Sequence, residues 1–193
     1  MSTRHTSIFE TERLVVRAAT VEDVDLYYAL WTDARVMVHV GFPQGLRITR
    51  SRLEEILSAQ EGSEFQRLLV VELKATGQAI GECKLDYPNE EGLAGPDCKL
   101  LPEFWGHKYG AEVWRALVAY QFAHTDCIAV EATPNVDNIA SIKMQEGAGA
   151  VRVGEGVYEF PESMRDYTTL VHHYFYRLDR ADWERMRPHL RPQ

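Results

Sequence analysis

The sequence predicts a single α/β domain, 1–193, whose sheet is mostly antiparallel with one parallel strand pair and helices on its flanks. Three observations carry this. A turn signal, Lys74-Ala-Thr-Gly77, separates two β-type runs, 65–73 and 78–86, as an antiparallel hairpin requires. A strongly apolar helical stretch running to about His124 lies between β-type runs at 98–101 and 127–132, so those two strands are joined by a crossover and should run parallel. No linker, repeat or low-complexity segment interrupts the 193 residues, and 45% of them are hydrophobic, enough for one domain with its own core.

The remaining elements follow in order. Arg13 to Ala18 reads as the first strand. Thr20 with Asp23 three residues later is a helix start of capping-box type, Asp standing where Glu or Gln is usual. The helix it opens, about 21–31, places Val24, Tyr27, Tyr28 and Trp31 on one side, either as core or, for Tyr28 or Trp31, as the wall of a substrate pocket. Residues 33–44 read as a loop with room for a helical turn, and 49–57 as an amphipathic helix with a charged outer side. The turn-rich, acidic run 87–97 reads as a solvated loop. After the strand at 127–132, Pro134 to Asn138 is a turn that starts a helix with an Asp or Asn cap, and Gly147 and Gly149 can end it. Strands at 150–157 and 169–178 and a short helix near 182–187 complete the chain.

Composition narrows the function classes. A net charge of −8 argues against a nucleic-acid-binding body and suits a cationic amine partner. No run reaches the length of a membrane span and the start lacks an apolar signal segment, so a soluble cytoplasmic protein is expected. Cys83, Cys98 and Cys127 lie in apolar, strand-like contexts without ligand spacing and read as core residues. His172 and His173, adjacent in a strand, point to opposite faces and cannot easily share an ion, so no metal is expected.

The stretch Pro102-Glu-Phe-Trp-Gly-His-Lys-Tyr-Gly-Ala-Glu112 is the centre of the chain. It passes through a turn carrying Gly106 and Gly110 and opens the apolar helix. The first amides of a helix lack internal partners and sit at the positive end of its dipole, so a glycine-bearing turn there can cradle a phosphate. On spacing alone, ordinary turn punctuation is the commoner meaning of two such glycines.

Trp105-Gly-His-Lys-Tyr-Gly-Ala-Glu112 resembles the acetyl-CoA pyrophosphate loop of the GNAT superfamily of N-acetyltransferases, in particular the branch similar to the ribosomal-protein N-terminal acetyltransferases. Asn138-Ile-Ala-Ser141 with the glycines after it, and Thr11-Glu-Arg-Leu-Val-Val-Arg17, are similar to two further blocks of that branch in the same order. Three features depart from the pattern: Lys108 stands for the loop's second glycine, Ala111 for a frequent threonine, and the run Gly95 to Pro102 offers only Asp97 where the family's strand often carries a Glu and a Tyr.

The resemblance implies a splayed parallel strand pair and acetyl transfer from acetyl-CoA to a primary amine (a protein N-terminus, a polyamine or a small molecule) by direct attack in a ternary complex. A catalytically weak acetyl-CoA-sensing module is the alternative. It also implies that His107, Lys108, Tyr109, Gly110 and Ala111 hold the pyrophosphate, that Asn138 binds the pantetheine arm, and that Leu100 or Leu101 offers a backbone N–H to an oxyanion. Ser141 either donates to the leaving sulfur or is a local helix cap. An ammonium acceptor needs a proton taken from it, and Glu82, Asp97 and Glu131 are the candidate bases, with Glu82 preferred. An N-terminal strand and helix used for a homodimer is compatible with either reading.

Overall fold

The computed structural model describes residues 6–186. In chain order the elements are β1 (Ser7–Glu10), β2 (Leu14–Ala18), α1 (Val24–Thr32), α2 (Ala34–Met37), α3 (Arg50–Ser58), β3 (Leu69–Leu73), β4 (Ala79–Lys84), β5 (Leu93–Ala94), β6 (Asp97–Leu100), α4 (Tyr109–His124), β7 (Ala129–Ala132), α5 (Ile139–Gly147), β8 (Val151–Tyr158), β9 (Val171–Asp179) and α6 (Arg180–Met186), with short 3-10 turns between some of them. One sheet has the order β1-β2-β3-β4-β6, all antiparallel; the other has the order β5-β7-β9-β8, with β5 and β7 its parallel pair.

The mixed, mostly antiparallel architecture is the one the sequence predicts, but the parallel pair is made differently. It joins Leu93–Ala94, inside the run read as a solvated loop, to Ala129–Val130, while residues 97–100 pair with β4 instead. Gly95-Pro96 separates β5 from β6. Proline has no N–H to give a ladder, so the chain leaves one sheet there and enters the other. Ala94 is buried, as a strand between layers must be. β1 is an addition: four half-exposed residues pairing with β2, too short a run for an alternating pattern to register. The strands at 65–73 and 78–86 are shorter than expected at both outer ends.

The period of two along the first sheet builds two cores. Leu14, Val16, Leu69 and Val71 face α4, whose buried residues Val113, Trp114, Leu117, Val118 and Phe122 repeat at helical spacing. Val70 faces the other way, onto Leu26, Tyr27 and Leu30 of α1 and Leu53 and Leu57 of α3.

The expected capping box is present: the Thr20 hydroxyl and the Asp23 carboxylate each accept from the other end of the turn. Asp23 also takes a bidentate pair from Arg17, at 2.7 and 2.8 Å, and Arg17 donates to Glu72 at 2.7 Å. Arg17 and Asp23 are both buried, so this pair fixes the start of α1 to β2 inside the protein. Burial on its own raises the Asp23 pKa, but the Arg17 guanidinium and the Thr20 amide outweigh it and the net is a lowered value. The stability it contributes is therefore complete above the ordinary carboxylate range and is lost as pH falls through the lowered folded value. Asp23→Ala should cost up to about 3 kcal/mol at neutral pH, because it takes the bidentate partner from a buried guanidinium and leaves it Glu72 alone. Urea unfolding of both proteins should show that gap at pH 7 and a smaller one in acid.

Candidate active site

The loop before α4 is held from outside. Trp105 Nε1 donates to the Leu100 carbonyl at 2.8 Å, and Arg13 Nη1 reaches the His107 carbonyl at 3.2 Å while its guanidinium lies over the Tyr109 ring. In the first turn of α4, the Glu112 carboxylate accepts from the Thr11 hydroxyl at 2.5 Å, the Arg13 amide at 2.9 Å and the Arg13 guanidinium at 2.7 Å. Burial raises its pKa, the Thr11 and Arg13 donors lower it further, and the net is lowered. Thr11, Arg13 and Glu112 thus bind the N-terminal block to the central one.

The first hydrogen bond of α4 runs from the Glu112 amide to the Lys108 carbonyl. Among the described residues, the amides of Tyr109, Gly110 and Ala111 have no protein acceptor. The sequence reading put Gly110 in the turn; it is the second residue of α4, and the residues in the left-handed region are Gly106 and Lys108. Lys108, at φ 65°, is the one non-glycine residue with positive φ among the described residues. Its side chain is exposed and its ammonium has no partner among them. A Cβ added at Gly110 would lie 3.7 Å from Met144 and 3.8 Å from Leu100, ordinary van der Waals distances, so this residue sits against α5 and β6 without crowding.

Asn138 caps α5, its side-chain oxygen accepting from the Ser141 amide at 3.1 Å. The capping role open to Ser141 is therefore filled by Asn138, and the Ser141 hydroxyl makes no hydrogen bond among the described residues. Ser141 is three residues before Met144 and so shares the face turned to Gly110 and Leu100. Of the two candidate oxyanion donors, Leu101 is occupied: its amide donates to the Ile80 carbonyl at 2.9 Å as the last bond of the β4–β6 ladder. Leu100, opposite Gly81, is by the same alternation a non-hydrogen-bonded position, and its N–H points away from β4 to the open edge of the sheet.

On the opposite face of β4 and β6 lies a cavity of about 260 Å³. Trp31, Met37, Val40, Leu46 and Leu68 form its apolar walls. Glu82 and Lys99, opposite each other in the ladder, enter it together with Lys84 and Asp97. Glu82 is buried, and its Oε1 accepts from Trp31 Nε1 at 3.0 Å and lies 3.2 Å from Lys99 Nζ, which is also 2.7 Å from Asp97. Burial lowers the Lys99 pKa, the two carboxylates raise it by more, and the net is raised, so Lys99 stays an ammonium. Of the two aromatics considered for a pocket wall, Trp31 has this place; Tyr28 does not line the cavity but packs on the second core under the Arg50 guanidinium. Glu131 lies in the other sheet, opposite Arg177. Lys99, Arg13 and Glu112 were not singled out from sequence, where each reads as an ordinary surface charge.

Residues 13–151 match the acetyltransferase (GNAT) domain, and the chain belongs to that family. It is accordingly an acetyl-CoA-dependent acyltransferase. An uncharacterized N-acetyltransferase of Bacillus licheniformis is 26% identical over 137 residues, 69% of this chain and 76% of its own. A spermidine N-acetyltransferase from Vibrio cholerae, solved with CoA and spermine, has the same fold with a TM-score of 0.74 at 19% identity, over 90% of this chain and 99% of that one. An aminoglycoside acetyltransferase solved with coenzyme A gives 0.68 at 19% identity, over 90% and 99%.

Replacing Lys108 by glycine separates backbone strain from charge. Relief of the left-handed lysine, offset by the greater freedom of glycine in the unfolded chain, should raise the unfolding free energy by up to about 1 kcal/mol. CoA affinity should fall, and by more than affinity for pantetheine, which carries no phosphate. Calorimetry showing a rise in CoA affinity would mean that the ammonium contributes nothing to phosphate binding.

Proposed function

We propose that this chain transfers the acetyl group of acetyl-CoA to a primary amine by direct attack in a ternary complex. The observation that carries the proposal is the placement of two half-sites on opposite faces of β6: the unpartnered amides of Tyr109, Gly110 and Ala111, with Gly110 next to Leu100, and the cavity with Glu82 on the other face. Amides at a helix start suit a pyrophosphate, with His107 and Lys108 beside them and Lys108 adding a positive charge. The Asn138 side chain, whose oxygen is taken by the cap, has its amide N–H groups for the pantetheine arm.

When bound, acetyl-CoA supplies an acyl carbonyl on a thiol leaving group. In this reading the Leu100 N–H stabilises negative charge on that carbonyl oxygen. Glu82 accepts the proton of the attacking amine, directly or through water, and the Ser141 hydroxyl donates to the departing sulfur. Lys99, kept charged, does not serve as the base. The presence of Glu82 and Asp97 in one cavity favours an enzyme over an inactive sensing module. The ribosomal-protein-like branch is supported by Asn138, Ser141 and the Thr11 to Arg17 block. A cytoplasmic location is supported by three free cysteines, which suit a reducing compartment. A homodimer has an open sheet edge available at β8, which exposes Val151, Val153 and Val157.

Gly110→Val tests the cofactor half. A Cβ at this position makes only ordinary contacts and valine is the better helix former, so the domain should fold with stability changed by about 1 kcal/mol or less, while CoA affinity drops; calorimetry on the folded variant with undiminished affinity would sink this placement. Ser141→Ala tests the chemistry. Turnover should fall by roughly one to two orders of magnitude with the melting temperature unchanged, since the cap belongs to Asn138. Asn138→Ala should instead lower stability by about 1 kcal/mol. A Ser141 variant with full turnover removes the hydroxyl from the mechanism.

A further inference from the structure

We infer that the acceptor is a small amine with one ammonium group on an apolar body, and not a polyamine or an aminoglycoside; this rests on the acetyl-transfer reading above. The charges that line the cavity cancel: Glu82 and Asp97 against Lys84 and Lys99. Each of the two lysines is also already paired with a carboxylate. Lys99 lies between Asp97 and Glu82 at 2.7 and 3.2 Å, and Lys84 is 3.0 Å from Asp86. Both protein contacts of the Glu82 carboxylate fall on Oε1, from Trp31 and Lys99, which leaves Oε2 to receive one amine.

For a second ammonium there is left only Asp97 Oδ1, on a half-exposed carboxylate whose other oxygen is already held by Lys99 at 2.7 Å. The other walls are Trp31, Met37, Val40, Leu46 and Leu68, and an added cation inside would face the Lys99 ammonium. Like charges brought together in a partly desolvated site are strongly unfavourable, so polycations are selected against rather than merely not favoured. Size points the same way. A cavity of about 260 Å³ lies just below the ~300 to 1,000 Å³ of pockets for drug-sized ligands, which suits an amine with a single ring or short branched chain.

The test uses the full chain, acetyl-CoA and release of free CoA thiol, with phenethylamine and isoamylamine set against spermidine and kanamycin. Phenethylamine or isoamylamine should show kcat/KM at least about tenfold above both polycations; a smaller or reversed preference overturns the inference. Lys99→Met removes the competing ammonium and leaves two carboxylates uncompensated, so the ratio should move at least about tenfold toward spermidine, through a fall in the KM for spermidine. An unchanged ratio in a folded Lys99→Met protein overturns the assignment of selectivity to Lys99, and the wild-type panel decides the substrate class even if the variant does not fold. Calorimetric titration with CoA distinguishes the two levels. CoA binding with transfer to polycations, or to none of the apolar amines, defeats this inference alone. Absence of both CoA binding and transfer defeats the acetyl-transfer reading and this inference with it.

Discussion

The amino end of α4 has to be fixed in place while its first amides are left without protein acceptors. These demands conflict, because the usual way to fix a helix start is to cap it, and a cap would take up those amides. The chain resolves the conflict by holding the turn from the side. Glu112 faces away from the loop and takes three donors from Thr11 and Arg13, and Arg13 continues to the His107 carbonyl and the Tyr109 ring. Lys108, at the cap position, makes no side-chain cap bond at all. The position of the N-terminal block in the fold is thus tied to the geometry of the loop before α4.

The second constraint is the break at Gly95-Pro96. A single continuous strand would have closed one sheet from β1 to β8 and left no edge between β6 and β7. Because proline interrupts the ladder, β5 goes to one sheet and β6 to the other, and the amide of Leu100 is left facing the gap. The same break explains what was and was not legible in the sequence. Turn signals and helical or alternating periods located nearly every element, since they are properties of one segment at a time. Which strand lies beside β4 is a property of two segments far apart in the chain, and the local composition of 87–97, rich in turn formers and acids, pointed to a loop.

The site divides along the same line. Residues 105–111, Asn138 and Ser141 could be named because their order along the chain carries the family resemblance. Lys99 could not. Residues 82 and 84 on one strand and 97 and 99 on the other each show a simple alternation, but only the register that sets Glu82 against Lys99 and Lys84 against Asp97 makes four charges into one neutral set. The Ser141 question was open for a related reason: a serine near a helix start and an asparagine three residues earlier are both good caps, and only the bond from the Ser141 amide to Asn138 decides between them.

β6 presents different surroundings on its two faces. Successive side chains on a strand point to opposite faces. Lys99 faces α1 and the cavity, while Leu100 faces α4 and α5 beside Gly110. Reactants entering from the two faces can meet only where the sheet has an edge, because an intact ladder would separate them with backbone. In the proposed reaction the edge of β6 would be such a place, with the Leu100 amide turned toward it. A partner strand paired along that edge would complete the sheet and occupy the Leu100 N–H, so the proposed chemistry requires the sheet to stay incomplete.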